Sequence, residues 1–291
     1  MLYSSNLRDD LKITLIRALK QAKSSLVIQI YSLSDPDILH LLEKRQREGV
    51  QLSLFHDKKQ PPPLPQGINS FPVDCSGLMH RKIVVMDETT AFLGTTNFTT
   101  PSLKIHDNLL IGIHHPPLAQ FFAESIEKSG RFTVGELEID TFLLPEGGGQ
   151  ALDAIAEEIE RAQEKIELAM FTLTHPLLVE KLIEAKQRGV TVEVYIDRYS
   201  RKGASKKAVD KLVKEDIIVR EGKGGQLLHH KWALIDRDTL IFGSANWTRS
   251  AFDKNQDFLC VFKGFSKKEK NKLQKLIREV KSSTKLLEER V

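Results

Sequence analysis

One stretch occurs twice in this chain. HRKIVVMDETTAFLGTTNFT begins at His80 and HHKWALIDRDTLIFGSANWT at His229. Both read His-x-Lys, four residues, Asp, six residues, Gly-Ser/Thr-x-Asn. His80, Lys82, Asp87, Gly94 and Asn97 therefore match His229, Lys231, Asp236, Gly243 and Asn246 at a single offset of 149 residues. Five polar or glycine positions in strict register describe two copies of one unit. One residue set carried by both halves points to a single site at a pseudo-two-fold axis.

The surroundings of the motif repeat as well. Apolar Leu11, Leu15, Ile16 and Leu19 predict a helix within 7–22, and the strand-like SLVIQIYSL follows. Asp35 as N-cap, Pro36 at the first turn and Gly49 past the end frame a helix over 35–48, with a strand at 51–55. The run QPPPLPQG lacks the amide hydrogens that helices and central strands need and reads as a loop at a rim. Strands at 83–86 and 91–93 carry the first motif, another covers 108–113, and a helix is expected over 118–128. The second half repeats this order with a helix at 151–163, the strand KIELAMFTL, a helix at 176–188 and the strand TVEVYID. Tyr31-Ser32-Leu33 aligns with Phe171-Thr172-Leu173, and Asp57 with Asp197, at an offset of 140. The rise to 149 puts nine extra residues between Asp197 and His229, within a segment that includes RYSRKGASKK.

A chain of 291 residues has room for two domains at about 150 residues each. The glycine-containing segment 130–149 predicts the junction, giving an N-terminal lobe at 1–133 and a C-terminal lobe at 134–291. The expected fold class is α/β: two similar α/β/α lobes with mixed sheets around one active site, a monomer with the architecture of a dimer. Hydrophobic residues at 41% and charged residues at 28% fit a soluble globular enzyme and exclude a disordered or fibrous chain. No apolar run reaches the roughly 20 residues of a membrane-spanning helix, and MLYSSNLRDDLK has no leader pattern, so a soluble, cytoplasmic protein is expected. Two cysteines are too few for a disulfide scaffold: Cys260 in FLCVF reads as buried packing and Cys75 as a bystander. The His114–His115 pair lacks flanking ligands, and neither a metal nor another cofactor is expected. A net charge of +4 permits a polyanionic partner without requiring one.

Histidine, lysine and asparagine suit phosphate chemistry. A neutral imidazole attacks phosphorus, and a second, protonated imidazole gives its proton to the departing oxygen. Lys82 and Lys231 supply positive charge, and Asn97 and Asn246 supply amide donors, to oxygens that gain charge in the transition state. A carboxylate on the other ring nitrogen fixes the tautomer of each histidine, and Asp107 and Asp257 are the candidates. Asp87 and Asp236 each precede a turn and suit a capping role, and Thr95 and Ser244 suit tightening of the loop.

These motifs resemble those of the phospholipase D superfamily, whose signature is the HKD motif, and the resemblance extends through the repeat to most of the chain. It implies a covalent phosphohistidine intermediate and metal-independent attack on phosphodiesters, with one of His80 and His229 the nucleophile and the other the general acid. The family's tendency makes His80 the nucleophile. Family members of the nuclease type commonly carry Glu where Asp107 and Asp257 stand, which is a departure. The endings Asn97-Phe98-Thr99 and Asn246-Trp247-Thr248 look most like the small nuclease-like branch. The expected function is therefore a nuclease acting on DNA or RNA, with Arg198, Arg201 and Lys202 tracking the phosphate backbone. The alternative is a phospholipase D or phosphatidyl transferase acting on phospholipid headgroups.

Overall fold

A computed structural model describes residues 1–287 of the chain. The first lobe begins with β1 (Leu2–Ser4), a 3-10 turn at Ser5–Leu7 and α1 (Leu11–Gln21). β2 (Ser25–Ile30), α2 (Pro36–Arg47), β3 (Gln51–Asp57) and β4 (Ser70–Val73) follow. The motif occupies β5 (Lys82–Met86) and β6 (Thr90–Gly94), and α3 (Thr100–Lys104), β7 (Leu109–His114) and α4 (Pro116–Glu124) complete the lobe. Its seven strands lie in the order β1-β7-β6-β5-β2-β3-β4.

The second lobe opens with β8 (Ser129–Val134), β9 (Leu137–Leu143) and α5 (Gly148–Arg161). β10 (Lys165–Met170), α6 (Pro176–Gln187) and β11 (Thr191–Ile196) repeat the β2-α2-β3 unit. The longer rim follows as α7 (Arg198–Lys202), α8 (Lys206–Lys214) and β12 (Ile218–Gly222). β13 (Lys231–Ile235), β14 (Thr239–Gly243), α9 (Arg249–Asp253), β15 (Phe258–Lys263), α10 (Lys267–Ser282) and β16 (Thr284–Leu286) close the described chain. The nine strands of this sheet run β16-β12-β11-β10-β13-β14-β15-β9-β8. Both sheets are mixed, with β2 parallel to β3 and β10 parallel to β11, while β5 and β13 pair antiparallel to β2 and β10.

Local chemistry explains these elements. Asp35 accepts from the amides of Asp37 and Ile38 to cap α2, Pro36 takes the first turn, and Lys44, Arg45 and Arg47 stand at the negative end of the helix. Gly49, at φ +91°, then turns the chain. The apolar run of β5 buries both faces. Val84 and Met86 join Leu11, Leu15, Ile38 and Leu42 beneath α1 and α2. Ile83 and Val85 join a middle cluster that draws on both sheets, with Trp232, Leu234 and Phe258 from the second lobe and Phe122 and Leu276 from α4 and α10. A side chain of this size contributes about 1.5–3 kcal/mol when fully buried, so the lobes are fused by their core rather than tethered.

Three expectations change. The segment 130–149 is not a flexible junction, because alternation in RFTVGELEIDTFLL makes it the β8–β9 hairpin, turning at Gly135. The chain passes between sheets at 125–128, ahead of residue 133. α4 ends at Glu124 instead of 128, since Ser125 adopts φ +54° and its amide closes on the Phe121 carbonyl. Cys260 is buried as expected, and no helix among the described residues is long and apolar enough to cross a membrane.

Candidate active site

The two histidines precede the matching strands β5 and β13, and the lobes are stitched together beside them. Met79 bridges to Gln256, and Leu228 bridges to Asp107. The His80 amide donates to the Gln256 carbonyl at 2.7 Å, and the His229 amide to the Asp107 carbonyl at 2.9 Å. These crossed bonds express the pseudo-two-fold relation in the backbone. The residue before each histidine is also held: the Asp57 carboxylate accepts from Met79 at 2.8 Å, and that of Asp197 from Leu228 at 3.0 Å. The repeat had aligned these two aspartates, and their role becomes visible only in three dimensions.

Both lysines point back toward their own motif. Lys82 Nζ donates to the His80 carbonyl, and Lys231 Nζ to the His229 carbonyl at 2.9 Å. Each ammonium also lies over an aromatic ring, Lys82 at 5.4 Å from the centroid of Tyr31 and Lys231 at 5.1 Å from that of Phe171. The same rings flank His80 and His229, at 5.3 and 5.0 Å. All four basic groups are buried. Burial brings Lys82 down to about 7, and burial followed by the charge of Lys82 takes Lys231 well below its usual value. His229 is likewise depressed, by burial and then by both lysines, and His80 falls because burial and Lys82 outweigh Asp257. Four basic groups thus stand close together with lowered proton affinity, and an anion placed among them would raise it again.

The pairing of the two imidazoles is unequal. His80 Nδ1 bonds Asp257 Oδ1 at 2.8 Å, and Ser244 Oγ donates to the same oxygen. His229 Nδ1 bonds Asn108 Oδ1 at 3.0 Å, and Thr95 Oγ1 donates to that oxygen at 2.7 Å. Asp107, the other candidate carboxylate, bonds neither imidazole among the described residues. Continuing the 149-residue register from Asp257 leads to Asn108, one residue later, and that register was the available signal. The Asp107 carboxyl faces Asn6 and Gln226 instead, and burial raises it to about 6. Asn108 Nδ2 donates to the Ser102 carbonyl at 2.8 Å, which leaves Oδ1 as the acceptor and makes Nδ1 of His229 the donor. The N-terminal turn braces this residue: Ser4 Oγ donates to its carbonyl at 2.8 Å and Ser5 Oγ accepts from its amide at 2.9 Å. Both histidines thus turn Nε2 away from their partners.

The remaining motif residues divide between loop and scaffold. Asn246 Oδ1 accepts from the Thr172 amide at 3.2 Å, while Asn97 Oδ1 is buried with no partner among the described residues. Gly243 permits close strand approach, since a Cβ there would stand 2.2 Å from the Phe258 carbonyl oxygen. Asp87 and Asp236 lie at the far ends of β5 and β13, away from the histidines. Asp87 accepts from the amides of Lys23, Ser24 and Ser25, and Asp236 from those of Gln163, Glu164 and Lys165. The basic set beyond Asp197 is split. Arg198 is half-buried and Lys202 exposed, whereas Arg201 faces Glu221 at 3.8 Å and so turns toward its own lobe.

This doubled arrangement defines a phospholipase D-like protein. Residues 15–129 and 155–281 match the family described as "Cardiolipin synthase, PLD-like domain", once in each lobe, and the chain belongs to that family of phosphodiester hydrolases and transferases. Among its sequence relatives is the phospholipase D of Rickettsia felis, 30% identical over 142 residues, covering 48% of this chain and 70% of that one. The mitochondrial cardiolipin hydrolase of Homo sapiens is 33% identical over 126 residues, covering 40% of this chain and 49% of the relative. The chain thus spans about half the length of that hydrolase. The phosphatidylserine synthase of Haemophilus influenzae shares the fold over 98% of this chain and 87% of its own, with a TM-score of 0.76 at 13% identity.

Proposed function

We propose that the cleft cleaves phosphodiesters through a phosphohistidine on His80, with His229 as general acid. The observation that carries this is the pair His80–Asp257 set against His229–Asn108. When Nε2 of His80 bonds phosphorus, its ring becomes cationic, and the Asp257 carboxylate stabilises that charge. Asn108 orients His229 without adding negative charge, which leaves its imidazolium the readier proton donor. His80 Nε2 attacks phosphorus, the P–O bond to the leaving group breaks, and the departing oxygen takes the proton from His229 Nε2. Water then attacks the phosphohistidine, giving a proton to His229 as the P–N bond breaks. Lys82 and Lys231 neutralise the non-bridging oxygens throughout.

The substrate is a nucleic acid strand. Lys58-Lys59 follow Asp57 as Arg198-Tyr199 follow Asp197, and these aspartates hold the residues beside the two histidines. Lys58 and Arg198 therefore stand at matching places on the two lobes, suited to phosphates flanking the scissile one, and Tyr199, 60% exposed, offers a face for base stacking. A phospholipid headgroup is the second reading. It is favoured by the names of the Rickettsia and human relatives and by Ile105, 57% exposed and next to His106, whose ring lies 6.5 Å from that of His229.

The test uses single-stranded DNA, duplex DNA, RNA, phospholipid vesicles and an activated aryl phosphodiester, all in EDTA, with wild type, His80→Ala and His229→Ala. General acid catalysis supplies about 10²–10⁴-fold, so His229→Ala loses that much on unactivated diesters and recovers most of it on the aryl ester. His80→Ala loses turnover on every substrate. Full activity in either variant, or strict dependence on an added divalent ion, would overturn the mechanism; turnover confined to vesicles selects the second reading.

A further inference from the structure

The lobes do not close alike behind their catalytic strands. α10 has sixteen residues and lays Leu273, Leu276, Ile277 and Val280 over its sheet, but the corresponding α4 has nine and stops at the left-handed Ser125. Beside the shortened end of α4 lies a cavity of about 400 Å³, within the range of small-ligand pockets. Its floor is polar. Arg81 lines it while only 6% exposed, donating through one terminal nitrogen to Gln29 Oε1 at 3.0 Å and reaching the Leu144 carbonyl with the other at only 3.5 Å. Its Nε has no hydrogen-bond partner among the described residues, and the Gln29 amide nitrogen is already engaged by the Phe122 carbonyl and Ser125 Oγ. In the second lobe the same register position is His230, and there Asn6 from the N-terminal turn supplies the partner at 2.7 Å. In the first lobe the place of Asn6 falls to Glu146, which lines the cavity near Arg81 without a hydrogen bond to it among the described residues.

A buried guanidinium with an incompletely used donor fork favours a planar anionic acceptor. Phe55, Val73, Met79, Ala123 and Leu143 form the apolar part of the lining, and Ile126, 76% exposed, stands at the edge. Lys128 lines the cavity as well, but Glu124, Glu127 and Glu146 outnumber the two cations and disfavour multiply charged anions. We infer that the cavity binds a small carboxylate with an apolar body: the carboxylate takes the Arg81 fork, and the body packs along Phe55, Met79 and Ile126. The site is separate from the cleft, because Arg81 turns away from His80 and Lys82 to Gln29. It adjoins the cleft through Met79 and Gln256, the bridging pair, which line the cavity as well. It holds whatever reaction the cleft performs.

Titration calorimetry of the full chain with octanoate tests this, with octan-1-ol and inorganic phosphate as controls. Wild type binds one octanoate per chain saturably and shows no saturable uptake of either control. Arg81→Met removes the charge, and Ala123→Trp fills the cavity with Arg81 intact; each weakens octanoate at least tenfold, while His229→Ala in the cleft leaves it unchanged. If Arg81→Met does not fold, Ala123→Trp decides. Absence of saturable octanoate binding, octanol binding as tight as octanoate, binding of phosphate alone, or octanoate binding that survives Ala123→Trp would each overturn the inference.

Discussion

Lys82 shows how one residue in this cleft is set by its neighbours. Its ammonium is surrounded by the His80 carbonyl, the Tyr31 ring and the buried carboxylate of Asp257, yet desolvation wins and brings it to about 7. The sign of the consequence follows: a lysine with lowered pKa is charged below about 7 and loses its charge as pH rises through that value. At limiting phosphodiester, kcat/KM therefore falls on the alkaline side of about pH 7 in a pH-rate profile. Lys82→Arg keeps a fixed charge and flattens that limb; a limb that stays in place in the arginine variant assigns it to another group. Asn108 makes the complementary point about residues. Amide and carboxylate are close in size and both present an acceptor oxygen, so either seats the imidazole, and only the carboxylate stabilises its cation. A search for orienting groups that looks for acids alone passes over the amide and settles on Asp107 next door.

At the level of elements, Asp87 and Asp236 hold the far ends of the catalytic strands. Each sits at positive φ, which aspartate tolerates better than most side chains, and each gathers three backbone amides from the helix-to-strand connection beside it. Those amides take Asp87 down to about 2 against the opposing effect of burial. Asp87→Ala costs about 1–2 kcal/mol in urea denaturation at pH 7, as loss of a capping carboxylate does. A depressed carboxyl stabilises the fold above its ordinary value near 3.9 and ceases to do so as pH falls through about 2, so the gap between wild type and variant closes in acid. An equal gap at pH 2 and pH 7 would deny the carboxylate this role. Elements of this kind were legible in the sequence because their signals are local: Asp35-Pro36 before α2, Gly49 after it, and the apolar IVV of β5. The β8–β9 hairpin was obscured because the glycines of 130–149 resemble a linker while the alternation between them specifies strands. The end of α4 was illegible for a different reason, since Ser125 carries no strong preference for the left-handed conformation that stops the helix.

As a whole molecule the protein has a repeated plan and a core shared by its two halves. Its middle cluster takes Ile83 and Val85 from one sheet and Trp232, Leu234 and Phe258 from the other. A fragment of residues 1–125 would expose that face to water, so it shows no cooperative urea transition as a monomer, and co-expression with 126–291 restores one. A cooperative monomeric transition in the fragment alone would mean that the shared cluster is dispensable. The plan itself was legible from five residues in register, whereas the departures from symmetry, with Asn108 opposite Asp257 and a short α4 opposite a long α10, emerge only from contacts between distant segments. One of those departures bears on chemical direction. A symmetric pair of histidines would expel either ester oxygen of a diester, whereas the proposed roles give this site a sense of direction. The oxygen facing His229 always leaves and the phosphoryl group always remains with His80. With those roles, a diester that binds in one orientation would leave its phosphate always on the same side of the broken bond.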